Sequence, residues 1–241
     1  MASRRLLLQG TAAAAVLSLA PGSIVALEAA RYERGRASAD GIGKRYMGRE
    51  IAQVMGWQGA AWLERSERDR EERTDLLLAE LQLRPGLTVA DIGAGTGYVA
   101  RRLARAVGPS GRILAVDVQP QMLRLLADAA RREDLRQIEP VLGGVDDVGL
   151  PPGSVDLTVM VDVYHELEHP FEVVASIVRA LKPGGRLVFV EYRAEDPNVP
   201  IKSLHKMSLG QIRREAAAHP LALERVGGSL PWQHVVVFAR R

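Results

Sequence analysis

"VADIGAGTGY", residues 89–98, decides the fold. Val89, Ala90 and Ile92 surround one acid in a short apolar run, and glycine then takes every second position, at Gly93, Gly95 and Gly97, before "YVARRLARAVG" adopts helical spacing. A strand that passes through glycines into a helix is the place where an α/β sheet receives ligands, because the backbone amides there can approach a ligand closely. By itself such a turn is also compatible with a simple tight bend. A dinucleotide fingerprint would require a third glycine where this chain has Tyr98.

The next segment sharpens the reading. "RILAVDV" (112–118) looks like a second strand, and it ends in Asp117 at the distance from the glycines where a carboxylate accepts hydrogen bonds from both ribose hydroxyls. An adenosine ligand without a clamped pyrophosphate is implied, and S-adenosylmethionine fits. The rhythm then continues with "PQMLRLLADAARRE", "IEPVLG", a buried strand over 155–162, a helix over 170–182 and "RLVFVEY". Strands alternating with helices argue right-handed crossovers and a parallel sheet covered on both faces. The tail breaks the rhythm. Ser208 to Gln211 has the pattern of a capping box, opening a helix that stops at His219-Pro220, and "ALERVGG" and "WQHVVVFAR" follow closely enough to form an antiparallel pair.

Over residues 85–241 the chain resembles the class I S-adenosylmethionine-dependent methyltransferases, in the small-molecule branch of type 11 and type 25. The motifs that carry the resemblance are "VADIGAGTG", Asp117, "GVDDVGLPPGSVD", "YHEL" and "ALKPGGRLVFVE", in that order. The resemblance implies a Rossmann-like α/β fold: a seven-stranded, mostly parallel sheet of order 3-2-1-4-5-7-6 with strand seven antiparallel, helices on both faces and an N-terminal helical extension over the substrate. It also implies site roles. Asp91, Gly93, Ala94, Gly95 and Gly97 would receive the methionine end of the cofactor, Asp117 the ribose and Val118 the adenine face. Asp146, with Asp147 beside it, would meet the adenine amino group, and Asp162 would close the site at the end of the fourth strand. The chain departs from the arsenite-methylating relatives, which use cysteines; it has none.

Methyl transfer asks for alignment and exclusion of water, and an oxygen or nitrogen acceptor also has a proton to lose. Candidate acid/base groups at the strand ends are His165, Tyr164 and His205, with Glu166 near them and Glu191 and Tyr192 on the substrate side. His169 is expected to cap a helix and Lys206 to be solvated. "HELEH" (165–169) also satisfies the zinc-protease pattern H-E-x-x-H, which needs both imidazoles on one face of a continuous helix. The strand before it and Pro170 after it deny that helix, so a strand-to-helix connection without a metal is expected.

The N-terminal third is read as three pieces. Residues 1–26, with Ser3-Arg4-Arg5 ahead of an apolar, Ala-rich run, have the layout of a twin-arginine export signal; a fortuitous start on a cytoplasmic protein is the alternative. The run is too short and Ala-rich for a stable membrane span, and cleavage after Ala26 would take the net charge from +3 to +1. Residues 27–80 are expected to be a mobile linker to about 45 and then a helical lid, with Glu64–Arg68 and Asp69–Arg73 paired along a solvated face. Tyr46, Trp57 and Trp62 are expected to enclose an apolar acceptor. Residues 81–241 form the third piece, the cofactor-binding domain.

Composition bounds the alternatives. With 47% hydrophobic residues over 241, the chain buries a core of its own, which excludes disordered and fibrous classes. A pI near 9.4 without a dense basic run or interleaved aromatics gives no nucleic-acid surface, leaving a small molecule as the expected partner. A non-catalytic cofactor binder and a nicotinamide oxidoreductase are the competing classes, and Tyr98 opposes the second.

Overall fold

The computed structural model describes residues 31–241. The export-signal reading of residues 1–26 lies outside them. The described chain begins with a small antiparallel sheet, β1 (Tyr32–Arg34), β2 (Gly41–Tyr46) and β3 (Arg49–Ala52), in that spatial order. This corrects the linker and part of the lid. β2 and β3 are joined by Met47 and Gly48, both at positive φ, the two-residue turn whose twist matches paired strands. Met is an unusual residue for φ 48°, so the turn left only Gly48 as a sequence signal.

The helical part of the extension is shorter than expected and broken: a 3-10 turn at Trp57–Gly59, then α1 (Ala60–Leu63), α2 (Arg68–Glu72) and α3 (Thr74–Leu81). The expected i,i+4 pairs give way to other partners. Glu64 binds Arg101, Asp69 binds Arg102 and Tyr98, Arg68 binds Glu72, and Arg73 binds Asp75. Several of these charges tie the extension to the next helix instead of lining a solvated face.

The main sheet follows expectation. β4 (Thr88–Ile92), α4 (Tyr98–Val107), β5 (Arg112–Asp117), α5 (Pro120–Arg132), β6 (Ile138–Leu142), β7 (Val155–Val161), α6 (Pro170–Ala180), β8 (Leu181–Tyr192), α7 (Leu209–Ala216), β9 (Leu221–Gly227) and β10 (Gln233–Arg240) give the order β6-β5-β4-β7-β8-β10-β9. β10 runs antiparallel to both neighbours, and the remaining pairings are parallel.

Alternate residues of each central strand feed opposite layers. Val89, Ile113 and Val188 pack under α3, α4 and α5, while Ala90, Leu114 and Phe189 pack under α6 and α7. Burial on both faces is why these strands read as continuous apolar runs. Pro170 opens α6 at its first turn, and Ser208 Oγ accepts the Gln211 N–H at 3.1 Å to cap α7. The reciprocal half of the capping box is missing: the Gln211 amide reaches Met47 O and Glu215 instead.

The small sheet is docked onto α6, α7 and the turn after β7. Arg49 donates to both oxygens of Glu215, at 2.9 and 3.1 Å, and to His165 O at 3.1 Å. Arg31 and Tyr32 both donate to Glu172 at 2.5 Å, and Tyr32, Tyr46 and Ile51 form an apolar cluster with Phe171. Among the described residues no helix is long and apolar enough to cross a membrane.

Candidate active site

A cavity of about 620 Å³ opens at the carboxyl ends of β4, β5, β7 and β8, within the usual size for a small-molecule site. One end is built by the glycine turn. Gly93 has φ 70°, and a Cβ there would stand 2.3 Å from Val163 Cγ2. Gly95 has φ 54° and gives its N–H to Asp117 Oδ2 at 2.9 Å, and a Cβ on it would press on Leu63 of the extension. Ala94 and Val118 also face the cavity. Gly97 does not; it precedes α4, and a Cβ there would strike Leu126.

Three carboxylates line this end, Asp91 and Asp117 buried and Asp162 half-buried. Asp91 leaves Oδ2 without a hydrogen-bond partner, and burial pushes its pKa up to about 7, opposed by the charge of Arg68. Asp117 accepts N–H groups from Gly95 and Gln119, yet each carboxylate oxygen keeps a further lone pair for another donor. Burial still raises its pKa. Asp162, at φ 53°, has Oδ1 unpartnered and its pKa raised by burial and by the nearby Glu72 and Glu191 carboxylates. Such a set fits a ligand that brings ammonium, sulfonium and hydroxyl groups, and the buried Arg68 guanidinium lining the same cavity complements a carboxylate. Orphaned acceptors and a cradle that side chains would fill thus match S-adenosylmethionine.

The other end is polar in a different way. The turn Tyr164–Glu166 after β7 points His165 into the cavity, and the turn Ser203–His205 brings His205 against it from the loop after β8. His165 Nε2 lies 3.1 Å from His205 Nδ1, and Glu166 Oε1 lies 3.4 Å from the latter. Behind His165, Nδ1 meets Glu191 Oε2 at 2.6 Å, and the other Glu191 oxygen accepts the Tyr164 N–H. Burial opposes charging His165, but Glu191 and Glu166 outweigh it and hold the imidazole up at about 10. Glu166 is held down at about 2: burial would raise it, but hydrogen bonds to His165 and His205 prevail.

Several expected site residues lie elsewhere. Tyr164 is fully buried in the core, edge-on to Phe189. Glu191 is also fully buried and acts on His165 from behind, not on a substrate. Tyr46 packs within the small sheet, and Trp57 stands outside the cavity, whereas Trp62 and Tyr192 line it. Asp146 and Asp147 are exposed, Asp147 paired with Arg179, and Gly144 and Val145 of the same loop face the cavity in their place. His169 makes no side-chain cap for α6; its ring lies against Lys44 Nζ at 3.3 Å. Lys206 is not solvated but donates to Val199 O at 2.5 Å.

Sequence reasoning missed the strap that covers the cavity, residues 53–57. Gln119, two residues after the ribose acid, accepts the Trp57 N–H at 2.8 Å and donates to Met55 O at 3.0 Å, while Glu166 Oε2 accepts the Met55 N–H at 3.2 Å. One strap is pinned at both ends of the site. The position of Gln119 directly after Asp117-Val118 was the available signal.

Residues 90–189 match the family model described as a methyltransferase domain. Over that stretch the chain is similar to methyltransferase domains. Among curated proteins, the chain is 37% identical over 117 residues to an uncharacterised 37.1 kDa protein of a transposon from Streptomyces fradiae, covering 48% of this chain and 33% of that one. It is 32% identical over 111 residues to the ubiquinone/menaquinone biosynthesis C-methyltransferase UbiE of Pseudomonas putida, covering 46% and 43% respectively. The chain thus spans less than half the length of these relatives. A S-adenosylmethionine-dependent methyltransferase from Aquifex aeolicus superposes with a TM-score of 0.74 at 22% identity, over 78% of this chain and all of that one, which supports the fold.

Proposed function

We propose that this protein transfers the methyl group of S-adenosylmethionine to a small-molecule acceptor. The observation that carries the reading is the unpartnered Oδ2 of Asp91, buried beside a glycine turn and Asp117 in a cavity whose far end holds two imidazoles. When bound, the cofactor supplies an electrophilic methyl group on a sulfonium. The chain's part is to bind, orient and exclude water. Asp91 and Asp162 receive positive charge, Arg68 receives a carboxylate, Asp117 accepts two hydroxyls, and Val118 offers an apolar face. The strap 53–57 and Trp62 close the acceptor's side. His165, its ring held by Glu191 through Nδ1, faces the acceptor's side together with His205. The cavity's volume and the biosynthetic name of the Pseudomonas relative support a small-molecule acceptor. Labelled-methyl transfer from the cofactor to a metabolite panel tests the reading. Cofactor binding without label in any product would leave a binding protein.

We also propose that residues 1–26 direct export, on the strength of Arg4-Arg5 before the Ala-rich run. Replacing both arginines by lysine should keep the full-length chain in the cytoplasm. An intact mass that retains Met1 in the wild-type protein refutes it.

A further inference from the structure

The imidazole end of the cavity has a geometry that methyl transfer does not require. His165 Nε2, His205 Nδ1 and Glu166 Oε1 lie within 4.8 Å of one another, with separations of 3.1, 3.4 and 3.8 Å. Donor atoms at the corners of a zinc tetrahedron with bonds of about 2.1 Å stand about 3.4 Å apart, so the three atoms already describe one face of such a tetrahedron. We propose that His165, His205 and Glu166 bind one divalent transition-metal ion, zinc being the best fit, with its fourth position open to the cavity.

The surroundings of the ligands support this. Metal-binding histidines commonly donate their second nitrogen to a carboxylate that fixes the ring, and Glu191, fully buried, holds His165 Nδ1 in this way. Glu191 is itself fixed by the Tyr164 N–H. Glu166 is oriented by the Met55 N–H on Oε2, which turns Oε1 toward the rings. Two carboxylates beside the site offset the charge of a cation, and two nitrogens with one oxygen and an open position match catalytic zinc sites. The donor set is not the H-E-x-x-H pair: His169 is turned to Lys44 and Tyr32, and its place is taken by His205, forty residues downstream of His165. The reason for doubting a helical zinc motif stands, while the second imidazole arrives through the fold.

An open metal position in the cavity suits an acceptor with an oxygen or sulfur donor. That clause rests on the methyl-transfer reading, whereas metal binding does not.

The test uses tag-free, full-length protein stripped with a chelator and titrated with cobalt(II), read by visible absorption, with zinc as competitor. One cobalt per chain with the intense bands of a tetrahedral site, displaced by zinc, is expected. His205→Ala and Glu166→Gln should weaken binding at least tenfold, and Glu191→Gln, which touches no metal, by about 10- to 100-fold. His169→Ala should bind as the parent does. Absence of saturable cobalt bands in the parent overturns the proposal, as does unchanged affinity in a folded His205→Ala or Glu166→Gln protein, or loss in His169→Ala alone. Calorimetry of S-adenosylmethionine on the same samples reports separately on the cofactor site, so failure of one reading leaves the other standing.

Discussion

The two ends of the cavity are built differently. The cofactor end comes mainly from one stretch of about thirty residues, β4, its glycine turn and β5, whose geometry is set by neighbours in sequence, with Asp162 and Arg68 added from the end of β7 and from α2. The acceptor end is assembled from four distant pieces: the strap 53–57, α1 with Trp62, the turn at His165 and the loop carrying His205. An end made of local structure tolerates little change in its own residues. An end made of tertiary contacts depends equally on residues that never touch a ligand.

The largest expected effect breaks the cofactor end. Asp117→Ala removes an acceptor for two hydroxyls, each charge-assisted bond contributing roughly 1.5–3 kcal/mol, so calorimetry should show S-adenosylmethionine binding weaker by roughly 10²- to 10⁴-fold. Affinity within threefold of the parent would remove Asp117 from the site.

Next comes the support of the acceptor end. Arg49→Ala leaves Glu215 buried without its partner, which should cost about 3–5 kcal/mol in denaturant unfolding. The same variant, where folded, should lose methyl transfer with cofactor affinity reduced less than tenfold. Equal losses of both would mean that the two ends are one unit.

A pH series separates the ends further. His219 packs on Phe171 where the small sheet docks, and burial, with the charge of Arg31, pushes its pKa down to about 4. Its usual value is 6.5. Between these values the unfolded chain takes up a proton that the folded one refuses, so stability falls as pH drops from 6.5 to 4 and is unaffected by this group above 6.5. The parent and His219→Leu, compared by urea unfolding at neutral pH and near pH 4.5, should differ in their acid sensitivity in that sense; parallel losses would exclude His219.

The smallest effect distinguishes the tryptophans. Trp62→Ala should lower kcat/KM roughly tenfold, about 1.4 kcal/mol, and Trp57→Ala less than twofold. The reverse order would put the acceptor on the outer face of the strap.

This division also decides what the sequence could reveal. The Asp91–Gly95 turn and Asp117 were legible because their spacing lies within one βαβ unit, whereas the strand order and Val118 came through the family resemblance. The extension was not. Its β2–β3 hairpin turns on Met47 in a left-handed conformation, and its charges pair with α4 and not along their own helix. Asp146 was misjudged because the loop brings Gly144 and Val145 to the cavity and leaves Asp146 and Asp147 exposed beyond them. His165 and His205 were both recognisable as candidates, yet only the fold makes them neighbours.

The position of β10 has a consequence for synthesis. Its eight residues come after all the other described strands in sequence, yet they sit between β8 and β9. On the ribosome, β4 to β8 can pair in the order they emerge, but β9 has no partner until β10 arrives. Glu215, which anchors Arg49, also appears late, so the first-made sheet waits for a helix more than 150 residues behind it. The cofactor end can thus take shape before α7 and β10 have been made, while the acceptor end closes only after both have emerged.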